Sequence, residues 1–162
     1  MWLYAIVAFV VLQRLAELVV SARNTKQLLA AGAHEAGRSH YPLIVALHVL
    51  WLIALLVFVD PATAPNFWLL GAFVLLQAAR VWVLASLGPR WSTRIIVLSD
   101  APLVVRGPYR FMRHPNYAIV AAEIAVLPLA FGAWQIALVF TVLNAAMLWW
   151  RIRVEDEALG RR

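Results

Sequence analysis

The chain has no cysteine, which excludes disulfides, thiolate metal sites and cysteine nucleophiles. Charge is also scarce: Asp, Glu, Lys and Arg make up 14% of the 162 residues, where an ordinary soluble domain carries about 25%. The seven glycines stand singly, at 32, 37, 71, 88, 107, 132 and 160. Neither a G-x-G-x-x-G fingerprint nor a P-loop is therefore present, and a soluble-type dinucleotide fold is excluded. The four histidines lack ligand spacing, so no metal site is expected. No Ser-His-Asp arrangement stands out either.

What fills the chain is apolar: 64% of residues are hydrophobic and eight are tryptophan, the composition of a membrane protein. A spanning helix needs about 20 largely apolar residues. The runs predict an all-α integral membrane protein with about five transmembrane helices, over residues 2–22, 42–59, 66–87, 116–131 and 133–150. The fourth run is the shortest, reaching about 22 Å of a hydrocarbon core about 30 Å thick. Pro128 and Gly132 can break and turn the chain, which predicts a C-terminal helical hairpin. The first run lacks a basic leading segment, contains Arg14 and Glu17, and reads as a retained anchor.

All of the 14 Lys and Arg residues except Arg14 and Arg80 fall between helices one and two, between three and four, or after five. Those three segments share one side of a five-helix bundle. By the positive-inside rule that side is cytoplasmic and the N-terminus lies outside. The net charge of +6 is then a feature of topology. With no basic helix or RNA-binding pattern beside it, nucleic acid is not an expected partner.

Polar groups recur inside the apolar runs: Arg14 and Glu17, His48, Arg80, Glu123 and Asn144. At about 1.5 Å per residue each lies about 8 to 12 Å from the basic end. An ionised group there costs about 2.5 to 3.5 kcal/mol or more on insertion scales, so it faces a partner or a cavity. Two readings stay open. The groups either glue the helices through ion pairs and hydrogen bonds, or line a polar pocket open to the basic side, which their shared depth favours.

Residues 88 to 116 form the longest segment outside the runs, shaped by Gly88, Pro89, Pro102, Gly107, Pro108 and Pro115. Pro115 suits the first turn of a helix, whose free N–H groups and partial positive charge, beside Arg113 and His114, suit a carboxylate or phosphate. Beyond the fifth run, RIRVEDEAL carries Arg151, Arg153, Glu155, Asp156 and Glu157. A cationic loop and an acidic tail facing one pocket can hold a zwitterion, with Tyr109 and Tyr117 placed to pack beside an aromatic base or a sulfonium.

Three elements occur in order over residues 88 to 159: Gly107-Pro108-Tyr109, then Arg113-His114-Pro115-Asn116-Tyr117, then Arg151, Arg153 and Glu155-Asp156-Glu157. In these the chain resembles the isoprenylcysteine carboxyl methyltransferase family of membrane enzymes, and in its N-terminal half the compact bacterial members. The resemblance implies a single membrane-embedded methyltransferase domain over 1–162 that binds S-adenosylmethionine through segments 101–117 and 151–159. It implies that Leu103, Val104, Tyr109, His114, Pro115, Asn116, Tyr117 and Glu157 contact this cofactor, while Arg153 positions the acceptor. Where eukaryotic members have a histidine before the Leu-Val pair, this chain has Ala101, and Arg94 is an unassigned candidate upstream.

The expected reaction is methyl transfer to a carboxyl or hydroxyl oxygen of a lipophilic acceptor in the bilayer, an isoprenylcysteine-like or polyketide lipid. Orientation and desolvation are the main contributions expected of the protein. A carboxylate acceptor is already nucleophilic, whereas a phenol or enol benefits from a base, for which Glu123 and His48 are the candidates. His40 and His48 are candidates for bordering the route of the acceptor. Two alternatives are an NADPH-dependent membrane reductase of the sterol-reductase type, whose additional helices this chain lacks, and a non-catalytic scaffold or transporter.

Overall fold

The computed structural model describes residues 1–98, 102 and 104–160. Five helices follow the chain: α1 (Trp2–Ala30), α2 (Tyr41–Phe58), α3 (Phe67–Leu87), α4 (Pro115–Ala130) and α5 (Trp134–Ala158). Four are long and apolar enough to cross a membrane; α4, with 16 residues, is shorter than a full span. Large apolar side chains such as Leu12, Val19, Leu50, Phe58, Leu75 and Val142 point outward along the four long helices, as a bilayer requires and water does not permit. The chain is an integral membrane protein.

Two helices outrun their expected spans. α1 continues to Ala30 rather than ending near residue 22, because nothing from Arg23 to Ala31 breaks a helix. Its 29 residues make it about 43 Å long against a hydrocarbon core of about 30 Å, so its last turns stand in water. α5 likewise runs through WWRIRVEDEA to Ala158, and the expected acidic tail is its final two turns. The other ends follow local chemistry. Asn66 caps α3 by accepting from the backbone N–H groups of Trp68 (3.0 Å) and Leu69 (3.2 Å), and Pro115 opens α4 at its first position. The α4–α5 hairpin turns at Gly132, whose φ of 71° lets the N–H of Ala133 reach the carbonyl of Pro128 and its own N–H that of Leu129, both at 3.0 Å.

The apolar core joins Leu3, Val7 and Val10 of α1 with Trp51 and Leu55 of α2, Phe73 of α3, Ile124 and Leu127 of α4 and Ile136 of α5. It fills the half of the bundle away from the basic end. At the basic end the fold departs from all-helical: β1 (His34–Ala36) pairs antiparallel with β2 (Ile95–Val97), in the register His34 to Val97. The protruding end of α1 pins the approach to β2. Asn24 donates to the carbonyl of Trp91 (2.8 Å), and the Ser21 hydroxyl meets that of Thr93 (2.8 Å) and accepts from the Thr93 N–H (2.9 Å).

Glu35 of β1 ties the ribbon together. Its carboxylate accepts from Arg94 Nη1 (2.8 Å) and Arg38 Nε (2.9 Å). Burial alone would push this carboxyl up, but the two guanidiniums outweigh it and hold it below the ordinary carboxylate range. A depressed carboxyl stabilises the fold above its unfolded pKa, and the gain is lost as pH falls through the folded value. The thermal midpoint in detergent should therefore drop on acidification from about pH 5 to about pH 3. In Glu35→Gln the midpoint should start lower at neutral pH and fall less over that interval; equal slopes in the two proteins would remove Glu35 from the linkage.

Candidate active site

A cavity of about 600 Å³ opens at the basic end of the bundle, within the range of small-molecule sites. Its apolar wall comes from Leu28 of α1, Leu87 of α3 and β2. Its polar wall comes from the turn and helix that begin at Gly107 and from the last turns of α5. Gly107 lets this turn lie against α3: it has φ 59°, and a Cβ there would collide with the Ser86 side chain. Arg106 Nε secures the same contact by donating to the Ser86 carbonyl at 2.8 Å.

Tyr117 stands at the centre of the polar wall. Its hydroxyl donates to Glu155 Oε2 and accepts from Arg151 Nε at 2.8 Å. Arg151, 7% exposed, also donates to the Thr93 carbonyl at 2.7 Å, so a single guanidinium joins α5, α4 and the approach to β2. The His114 ring stacks on Tyr117 with planes 7° apart and centroids 5.2 Å apart, and its Nδ1 lies 3.8 Å from Glu155 Oε2. Asn116 lines the cavity, and its Oδ1 is buried without a donor among the described residues. Tyr109, Arg90, Ser92, Arg94 and Arg113 complete the polar lining. Burial raises the Tyr109 hydroxyl well above its ordinary pKa, and the Glu155 carboxylate adds to the effect.

Of the residues expected at a cofactor site, Val104, Tyr109, His114, Asn116 and Tyr117 converge on this cavity. Pro115 is buried in the first turn of α4 and shapes the site without lining it. Leu103 and Ala101 lie outside the described residues. Glu157 and Arg153 do not reach the cavity. Two residues along a helix turn by about 200°, so when Arg151 and Glu155 face inward, Arg153 and Glu157 face out. Arg153 instead lies over the ring of Trp149 at 4.2 Å, one turn earlier. Arg151 and Glu155, which the motif contains without assigning them a role, are the members of that run that line the cavity. Helical phase was the available signal, once α5 is taken to run unbroken through residue 158.

The intramembrane charges form a separate, closed cluster. Glu123, 1% exposed, accepts from Gln77 (2.9 Å), from Arg80 through two bonds and from Arg14 Nη2 (2.6 Å). Glu17 accepts from Arg14 Nη1 at 2.8 Å and Arg80 Nη1 at 3.3 Å. Two arginines and two glutamates from α1, α3 and α4 therefore balance one another within hydrocarbon, where unpaired charge is costly. This arrangement is the interhelical glue and not the polar pocket that shared depth favoured. His48 is also outside the cavity, its Nδ1 2.8 Å from the Ile44 carbonyl one turn back. His40 is 2% exposed and packs against Trp150, centroids 5.6 Å apart.

The family model for the isoprenylcysteine carboxyl methyltransferase (ICMT) family matches residues 69–161. The chain is 42% identical over 162 residues to the uncharacterised protein YpbQ of Bacillus subtilis (strain 168), an alignment covering 98% of this chain and 95% of that protein. It is 26% identical over 155 residues to an uncharacterised protein of Haemophilus influenzae, covering 91% of this chain and 88% of the other. No solved structure matches. The matched segment holds the whole described lining of the cavity except Leu28, and the chain belongs to the isoprenylcysteine carboxyl methyltransferase family, a membrane methyltransferase.

Proposed function

We propose that the cavity binds S-adenosylmethionine and that the enzyme methylates a carboxyl or hydroxyl oxygen of a lipophilic acceptor delivered by the bilayer. The observation that carries this reading is the juxtaposition, in one cavity, of the Glu155 carboxylate, the donor-less Asn116 Oδ1, the cationic start of α4 and two tyrosines. These groups fit S-adenosylmethionine part by part. Arg113 and the free N–H groups of α4 suit its carboxylate, Glu155 its cationic groups, Asn116 Oδ1 an amino donor, and the rings of Tyr109 and Tyr117 its sulfonium or base.

When bound, S-adenosylmethionine would supply an electrophilic methyl to the acceptor oxygen, which would react as a carboxylate or as a hydroxyl that has given up its proton to solvent. The chain's own share is binding and orientation. Arg151 holds Tyr117 in place, and Tyr117 in turn holds Glu155, while the apolar wall of Leu28, Leu87 and β2 screens the reacting atoms from water. Glu123 and His48 take no part in this scheme, because neither lines the cavity. Arg153 and Glu157 stand on the outer face of α5, so Glu155 takes the acidic role in this scheme. The single domain, the bacterial inner membrane, a cytoplasmic basic end and an outside N-terminus belong to the same proposal, the last two by the positive-inside rule.

Equilibrium binding of labelled S-adenosylmethionine to protein purified in detergent tests the reading, with saturable one-site binding expected. Absence of binding, with NADPH binding in its place, would replace the methyltransferase scheme by that of a reductase. Methyl transfer from the labelled cofactor into fractionated membrane lipids then identifies the acceptor class.

A further inference from the structure

Trp91 walls a second, smaller cleft as well as the main cavity. This cleft, about 300 Å³, lies between the water-side ends of α1 and α3. Val20, Arg23, Asn24 and Gln27, spaced as one face of α1, form one side, and Leu84, Gly88 and Trp91 form the other. Along both helices residue number rises toward the basic end. Val20 and Leu84 are thus the hydrocarbon end of the cleft, and Arg23 and Gln27 its water end.

The polar chemistry of the cleft is one-sided. Arg23 is exposed and has no ion-pair or hydrogen-bond partner among the described residues, and the Gln27 side chain likewise makes no hydrogen bond among them. Trp91 is 3% exposed, and its Nε1–H is buried without an acceptor among the described residues. Among the described residues no carboxylate lines the cleft. The side-chain amide of Asn24 is already engaged with the carbonyls of Gly88 (3.2 Å) and Trp91 (2.8 Å). What remains is a cation and unfilled donors above an apolar floor, at the level where a bilayer places its headgroups.

We propose that this cleft binds the headgroup of an anionic phospholipid, its phosphodiester at Arg23 and its acyl chains running past Val20 and Leu84. The volume is at the small end of ligand sites, room for a headgroup and not for a whole lipid. Basic recesses between membrane helices on the positive side are suited to such lipids. The site is distinct from the methyl-transfer cavity and does not depend on the reaction proposed there.

Native mass spectrometry of the detergent-purified protein, titrated with dioleoyl phosphatidylglycerol or dioleoyl phosphatidylcholine, provides the test. Wild-type protein should retain the anionic lipid at least about fivefold better, the ratio implied by about 1 kcal/mol per near-surface arginine. Arg23→Gln should lose that preference. Lys26→Gln, which removes the same charge one turn on but outside the cleft, should keep it. Val20→Phe, which fills the apolar end and leaves the charge intact, should also lower retention; it carries the test if circular dichroism shows Arg23→Gln to be misfolded. Equal retention of the two lipids by wild type would overturn the proposal. So would equal losses in Arg23→Gln and Lys26→Gln, which would signify bulk surface charge, or displacement of the lipid by glycerol phosphate at matching concentration, which would signify a site for free phosphate.

Discussion

Replacing Arg80 by leucine is expected to destabilise the bundle by about 3 to 5 kcal/mol, the usual cost of removing one member of a buried ion pair and stranding the other. Arg80 is 2% exposed and bonds both Glu17 and Glu123, so its loss leaves two carboxylates with one arginine inside the hydrocarbon. Arg14 reaches the same two carboxylates, but its side chain is 21% exposed, and Arg14→Leu should therefore cost less. The double variant Arg80→Leu/Glu123→Leu removes one charge of each sign and leaves Arg14 paired with Glu17. It should regain much of the loss, because an apolar replacement of a whole buried pair is often neutral. Thermal unfolding in detergent gives the order directly. A double variant no more stable than Arg80→Leu alone would show that the helices need this pair for its shape rather than its balance.

The second large effect concerns cofactor affinity. Glu155→Gln should weaken S-adenosylmethionine binding by about tenfold or more, since a hydrogen bond involving a charged group contributes about 1.5 to 3 kcal/mol. Glu157→Gln, which changes the same charge on the outer face of α5, should leave it within about twofold, as substitutions at exposed positions usually do. Equal losses in the two variants would mean that general acidity near the α5 terminus is what matters. Wild-type affinity in Glu155→Gln would remove that carboxylate from the site. Because Glu155 also accepts the Tyr117 hydroxyl, Tyr117→Phe separates direct contact from positioning. A loss in Glu155→Gln with none in Tyr117→Phe assigns the effect to the carboxylate itself.

The five apolar helices, the hairpin and the start of α4 were legible in the sequence because each rests on local chemistry. An apolar run of given length has few folds open to it in a bilayer, Pro115 belongs at a helix start, and Gly132 permits the tight reversal. The convergence of Tyr109, His114, Asn116 and Tyr117 was legible too, as residues crowded near one helix terminus. Where helices leave the membrane was harder to read. Hydropathy falls at Arg23 and again at Arg151, but helical backbone bonding does not, so α1 and α5 continue into water, α5 with Arg151 and Glu155 on one face and Arg153 and Glu157 on the other.

By itself, the sequence determined that this chain lives in a membrane, which end of the bundle is basic, and where a helix would offer its positive terminus to an anion. Only the tertiary structure decided which polar groups share a cavity. Shared depth could not distinguish the closed cluster of Arg14, Glu17, Arg80 and Glu123 from a pocket, because that depends on how three helices rotate toward one another. Nor could a motif choose Glu155 over Glu157, since helical phase becomes a contact only when α5 packs against α4. The β1–β2 ribbon is the clearest case. Three residues are too few to show a periodicity, and their backbone partners lie about 60 positions away in a pairing that exists only after the helices between them have folded back.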